Sequence, residues 1–482
     1  MRDKLKLILL AAALALTSPA THAAARAQTP RDVSKDEARA SRAWVRDAVV
    51  YEIFPRAYSA AGNFDGVTRD LDRLKELGVT VLWLMPIHPV GQERKKGGPA
   101  ALGSPYAVRD YYATNPDYGT KEDFRRLVDA AHRRGLKVII DVVANHTAWD
   151  SVLMREHPDF YTRDAAGKIV APDPGWSDVA DLDYSNPRVR EYMTEMLKYW
   201  LREFKLDGFR CDVSWMVPTD FWERARAELE KINPDIVMLS EANEPEHMLR
   251  AFDLNYGWPL FHAIDDAARG EAPAAKLRET WEAERAKNAR GALRLNFTDN
   301  HDERRAVARL GERGAVAAAV FVFTIDGVPL LYNGMEVGDT VESGDPALFE
   351  KFPVFWPIVK RNPGLPDFYK RLIALRRAHA ALRQGELVWL DNAPRGRVAT
   401  YLRRGGGEEF LIAVNFTNQP FAGFVSAPAG ADFADVTPAA LGVPPIGPLP
   451  PVPPQRGRPS GDEPLRLSLE PWGFRVFRRA AR

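Results

Sequence analysis

From about residue 48 the apolar positions follow a regular rhythm, short continuous runs alternating with helical stripes. Val49–Phe54, Val79–Met85, Lys137–Val143, Gly208–Val213, Ile236–Ser240, Leu293–Phe297 and Val328–Tyr332 read as strands. Their nearly unbroken apolar character is that of parallel strands covered on both faces. Amphipathic helices lie between them. Asp65–Leu77 carries Leu71, Leu74 and Leu77 at helical spacing and stops at Gly78. Thr120 with Asp123 opens the next helix as a capping box, and Asn186-Pro187 starts a long one to about Lys205. Further helices are expected at Pro218–Ile232 and Pro366–Arg383, with a weaker β/α unit at 252–288.

About eight β/α units in this span favour an α/β fold closed into a (β/α)8 TIM barrel. No G-x-G-x-x-G follows the first strand, which weighs against an open dinucleotide-binding sheet. The barrel is assigned to 47–384. Within it, 147–185 shows no clear helix or long strand and reads as a short insertion subdomain after strand 3. After about 385 the period becomes that of short strands, with Arg404-Gly405-Gly406-Gly407 as a hairpin turn. Residues 385–482 are therefore expected to form a C-terminal all-β sandwich domain, with a Pro-rich loop at 441–464.

The N-terminus differs from the rest. Arg2, Lys4 and Lys6 precede the apolar Leu7–Leu16, and Ala23, Ala24 and Ala25 offer a cleavage site. About 10 apolar residues fall short of the roughly 20 that span a bilayer, so 1–25 reads as a cleaved secretory signal peptide. Residues 26–46 read as a loose polar lead-in. The expectation is a soluble protein exported to the periplasm or beyond, with no membrane association after cleavage.

Composition removes other classes. Lys+Arg is 66 and Asp+Glu is 65 in 482 residues, so no basic excess exists to neutralise nucleic-acid phosphates. With a single cysteine, Cys211, neither an internal disulfide nor a cysteine-built metal site can form.

The chemistry is expected at the C-terminal ends of the barrel strands. The third ends Asp141-Val-Val-Ala-Asn145-His146, the fourth reads Gly208-Phe-Arg210-Cys211-Asp212, the fifth ends Ser240-Glu241, and Asp299-Asn300-His301-Asp302 follows the seventh. Strand alternation turns Arg210 and Asp212 toward the barrel axis and Cys211 outward, where a thiol is inert. A guanidinium beside Asp212 should hold it ionised, as a nucleophile requires. Glu241, after an apolar run, fits the opposite need, a carboxyl with raised pKa serving as acid and base. Two carboxylates with split roles suit glycoside hydrolysis. The residues alone leave open a metal-assisted hydrolase using Asp and His ligands, or a barrel with buried ion pairs and no chemistry.

DVVANH (141–146), GFRCD (208–212), SEAN (240–243) and FTDNHD (297–302) resemble, in order and spacing, the four signature regions of the α-amylase superfamily of retaining α-glycosidases. VVYEIFPRAY (49–58), SPYAVRDYYATNPDYGT (104–120) and LLYNGMEVG (330–338) also look like that family. The resemblance implies a nucleophile at Asp212, an acid/base at Glu241 and a third, sugar-gripping carboxylate at Asp302. It implies substrate binding by Tyr106, His146, Arg210 and His301, with Asp141 a structural partner of Arg210. The implied substrate is an α-glucan or maltooligosaccharide, hydrolysed at α-1,4 bonds without a cofactor in the chemistry. Exo-acting α-glucosidase, cyclomaltodextrinase and glucan transferase use the same scaffold, and a non-catalytic glucan-binding protein is the rival of another class. Asn145 matches a family calcium ligand, so a structural calcium is one expectation and an orienting hydrogen bond the other. The family's calcium-assisting histidine has no counterpart, because Ser214-Trp215-Met216 occupies its stretch. Trp149, Trp176 and Trp215 either pack or line further sugar subsites.

Overall fold

The computed structural model describes residues 31–341, 347–427, 433–438 and 465–481. The signal-peptide stretch 1–25 and the Pro-rich loop 441–464 lie outside them. From Val33 onward the chain forms one unit. Its centre is a closed parallel barrel of β1 (Val50–Ile53), β2 (Val81–Leu84), β3 (Lys137–Val142), β6 (Gly208–Cys211), β7 (Val237–Ser240), β8 (Leu254–Tyr256), β9 (Leu293–Asn296) and β10 (Val328–Tyr332). Within the insertion, β4 (His146–Ala148) and β5 (Val179–Asp181) pair antiparallel as a two-stranded sheet, with the short helix Val152–Glu156 between them. The fold is thus the expected TIM barrel with a C-terminal all-β part.

Alternation along the strands builds two cores. Val50, Val81, Trp83, Ile139, Leu239 and Leu330 fill the barrel interior. Their neighbours Tyr51, Leu82, Val138, Phe209 and Cys211 face the helices. Fully burying such side chains stabilises by roughly 1.5–3 kcal/mol each, which explains why these strands tolerate so few polar residues.

The capping box at Thr120 is formed, with both reciprocal bonds present, and Asn186 caps Pro187–Phe204. The expected helix at 65–77 is instead two pieces, Phe64–Thr68 and Leu71–Leu77. The expected final helix likewise divides, into Leu365–Ala378 and Ala380–Gln384. Residues 33–46 are not a loose lead-in. Val33 is buried, Ala38 N–H donates to Arg290 O at 2.8 Å, and Arg39 pairs with Glu230 at 2.7 Å.

Beyond the barrel, Glu386–Trp389, Val398–Gly405, Glu408–Asn415, Phe474–Ala480 and Ala434–Asp435 form one antiparallel sheet in that order. Asn392–Ala393, Phe421–Val425 and Leu465–Leu469 form another. Gly406 and Gly407, at φ 61° and 77°, make the two-residue turn the strand twist favours. Tyr401 OH meets Thr324 Oγ1 at 2.6 Å and Arg403 Nη1 donates to Thr324 O at 2.8 Å, fixing this sheet to a barrel helix. Among the described residues no helix is long and apolar enough to cross a membrane.

Candidate active site

The strand register places Asp141 of β3 directly beside Arg210 of β6. Both side chains point inward and are fully buried. Arg210 Nη1 donates to Asp141 Oδ1 and to Asp212 Oδ1, each at 2.8 Å. Nη2 lies 2.8 Å from Glu241 Oε2 but out of hydrogen-bonding alignment. Nε donates to Tyr256 OH at 3.2 Å. The rings of Trp83, Tyr106 and Tyr256 stand 5.2–5.6 Å from the guanidinium carbon. One cation in an aromatic cage thus serves three carboxylates, a fork that only a planar guanidinium supplies.

The electrostatic expectation for Asp212 is overturned. Burial pushes its carboxyl well above the usual carboxylate range, and the charge of Glu241 pushes it further, together outweighing Arg210. Asp141 is likewise pushed up to about 6 by burial, against Arg210. Nor is the setting of Glu241 apolar, since its Oε2 accepts the Val213 backbone N–H at 2.7 Å as well as facing Arg210.

His301 joins a second chain of contacts. Its Nδ1 is hydrogen-bonded to Glu52 Oε1, while Nε2 lies 2.7 Å from Tyr106 OH and 3.2 Å from Asp302 Oδ2. Burial works against its charge, yet Asp302 and Glu52 raise its pKa to about 9. The Tyr106 ring stacks on the His301 imidazole at 5.4 Å, and Tyr106 OH also donates to Asp141 Oδ2 at 3.1 Å. Asp302 is the most open carboxylate, its side chain 35% exposed. Desolvation in the confined site still lifts it to about 6, with His301 opposing and Glu241 assisting.

His146, at the start of β4, is buried and its pKa falls to about 4 through desolvation, against a hydrogen bond to the Tyr106 backbone. Its ring faces Trp176 at 5.8 Å. Asn145 Nδ2 lies 3.3 Å from His146 Nδ1 and 3.8 Å from Met216 Sδ. Among the described residues no group of three or more His, Cys, Asp or Glu could hold a metal ion.

All seven residues singled out from the sequence thus gather at this end of the barrel. Asp299 stands apart: it is buried and its Oδ2 accepts the Ala306 N–H at 2.9 Å, capping a helix. Sequence reasoning missed Glu52, Trp83 and Tyr256. For Glu52 a signal existed, a lone charge in the apolar Val50–Ile53 at an inward position.

Convergent carboxylates at the C-terminal rim of a (β/α)8 barrel mark the class as barrel enzymes. The sequence matches the family model for the alpha amylase catalytic domain over residues 29–166 and 175–352. It is 28% identical over 422 residues to an alpha-amylase of Haloarcula japonica, a match taking in 82% of this chain and 58% of that protein. A cyclomaltodextrinase of a Bacillus species is 29% identical over 422 residues, covering 77% of this chain and 73% of that protein. A maltogenic alpha-amylase of known structure from Thermotoga neapolitana superposes with a TM-score of 0.75 at 31% identity, covering 90% of this chain and 97% of that one. The chain belongs to the alpha-amylase family of glycoside hydrolases.

Proposed function

We propose that the protein is an exported retaining α-glycosidase acting on α-1,4-glucosidic bonds of maltooligosaccharides or starch-like glucans. The observation that carries this reading is the pair Asp212 and Glu241, set at the ends of adjacent strands against the two terminal nitrogens of Arg210. Asp212 attacks the anomeric carbon as Glu241 gives its proton to the departing glycosidic oxygen, leaving a glycosyl ester on Asp212. Water, deprotonated by Glu241, then attacks the same carbon and frees Asp212. With its proton in place for the first step Glu241 no longer repels Asp212, whose carboxyl burial still raises. Asp302, Tyr106, His146 and His301 hold the sugar beside it. No cofactor enters either step. Signal-like residues 1–25 support export.

A substrate panel of starch, maltotriose, cyclodextrin, pullulan, trehalose and sucrose with product identification tests this. The expected result is maltooligosaccharides or maltose, and loss of activity by a factor of about 10⁴ or more in Asp212→Asn and Glu241→Gln. Undiminished hydrolysis by Asp212→Asn would overturn the reading. Early glucose alone would mark exo action, chain lengthening transfer, and preference for the ring substrate a cyclomaltodextrinase.

A further inference from the structure

Val213 sits at φ 33° and ψ 44°, a conformation that a β-branched side chain rarely tolerates. Such strain persists only where the surroundings hold it. Here it aims a donor: Val213 N–H donates to Glu241 Oε2 at 2.7 Å. Among the described residues no other aligned hydrogen bond reaches the Glu241 carboxylate, since Arg210 Nη2 is out of alignment. The support lies behind the barrel wall. Leu239 belongs to the inner core and Met238 to the outer one, so alternation turns Ser240 toward the helices and away from the cleft. Ser240 Oγ meets Ser214 Oγ at 2.7 Å and His247 Nδ1 at 3.0 Å, and all three side chains are buried. Ser214 directly follows Val213, and Ser240 directly precedes Glu241. The two hydroxyls thus tie the turn that carries the donor to the strand end that carries the acceptor. Both ends of this chain are anchored. The Ser214 carbonyl accepts Trp222 Nε1–H at 3.0 Å, and the His247 ring packs on Phe252 at 5.0 Å. Burial lowers the His247 pKa to about 4, so the ring is neutral near neutral pH.

We infer that Ser214, Ser240 and His247 are positioning residues for proton transfer at Glu241, a buried hydrogen-bonded brace that keeps the Val213 N–H on its carboxyl group. This rests on the acid/base role proposed for Glu241. With Oε2 accepting the N–H, the proton is carried on Oε1, the oxygen left to meet the departing glycosidic oxygen. Proton transfer needs that oxygen within hydrogen-bond reach, so a small displacement of the carboxyl group costs rate without any loss of substrate contacts. The brace acts from the helix side of the wall and touches no sugar.

The test compares maltopentaose, whose leaving sugar must be protonated, with α-maltosyl fluoride, whose leaving group departs with little help from an acid. On both substrates kcat/KM reports the first, bond-breaking step. In Ser240→Ala, which cuts both contacts of the brace, kcat/KM on maltopentaose should fall about 10- to 100-fold and on the fluoride less than about 3-fold. Ser214→Ala cuts one contact and should show the same split to a smaller extent; it decides the matter should Ser240→Ala fail to fold. A merely structural role would lower both substrates alike. Parallel losses, or no loss on maltopentaose, would therefore overturn the brace while leaving the glycosidase reading intact. Glu241→Gln is the reference and should show the split at its largest. Its absence there would instead remove the acid/base role of Glu241.

Discussion

Glu52 and His301, 249 residues apart in sequence, meet inside the barrel where Glu52 Oε1 is hydrogen-bonded to His301 Nδ1. This contact and Asp302 hold the imidazole charged up to about 9, above its ordinary value of about 6.5. A histidine raised on folding stabilises fully below the lower value, and that stability is lost as pH rises through the higher one. Glu52→Gln should therefore melt lower than the parent at pH 6, with the gap shrinking toward pH 10. Thermal melts across that range check it, and a gap independent of pH would count against the pairing. Activity should fall about 10- to 100-fold as the ring loses its orientation.

Arg210 balances Asp141, Asp212 and Glu241 at once. Arg210→Met leaves buried carboxylates without a counter-charge, a loss on the order of 3–5 kcal/mol. Arg210→Lys keeps one charge but not the fork, so it should fold better and still lose about 10²-fold in kcat. Denaturant unfolding and the pH–rate profile check both. The acidic limb should move upward in pH, because removing the guanidinium raises Asp212 and Asp141 further.

The parts of the molecule readable in sequence were those governed by local pattern. The Val138–Val142 run, the Asn186-Pro187 helix start and the Gly406-Gly407 turn depend on near neighbours, and each forms as expected. Arg210 and Asp212 converge because strand alternation is itself local. What escaped depends on distant charges. Docking of residues 33–46 rests on Arg39 meeting Glu230 and Asp253, two partners far along the chain. The rise of Asp212 comes first from its burial and then from the charge of Glu241 on the next strand, neither of which its own strand reveals. At the break Arg69-Asp70, Asp70 accepts from Arg73, one turn on in the second piece, at 2.8 Å, and from the more distant Tyr58 OH.

Glu241 raises both Asp212 and Asp302 through its charge. Glu241→Gln should lower the midpoint of each, that of Asp302 from about 6. A carboxylate-resolved NMR titration of the variant reads this without turnover. Midpoints that stay in place would mean that desolvation alone sets them, and that the three acids are not electrostatically one group.

Cys211 lies between Arg210 and Asp212, yet its side chain belongs to the outer core with the helices. Burial pushes its thiol well above the usual range, so it should resist thiol reagents until the protein unfolds. Its backbone carbonyl accepts the Glu241 N–H at 3.0 Å, a bond that any side chain at this position preserves. Cys211→Ala should keep the parent's kcat and lose about 1 kcal/mol of stability from the small cavity. Cys211→Ser should lose more, by about 1–3 kcal/mol, because a hydroxyl replaces a sulfur in an apolar pocket. Unfolding curves and initial rates decide the matter together. Loss of rate in Cys211→Ala with an unchanged unfolding curve would mean that the thiol faces the reaction rather than the helices.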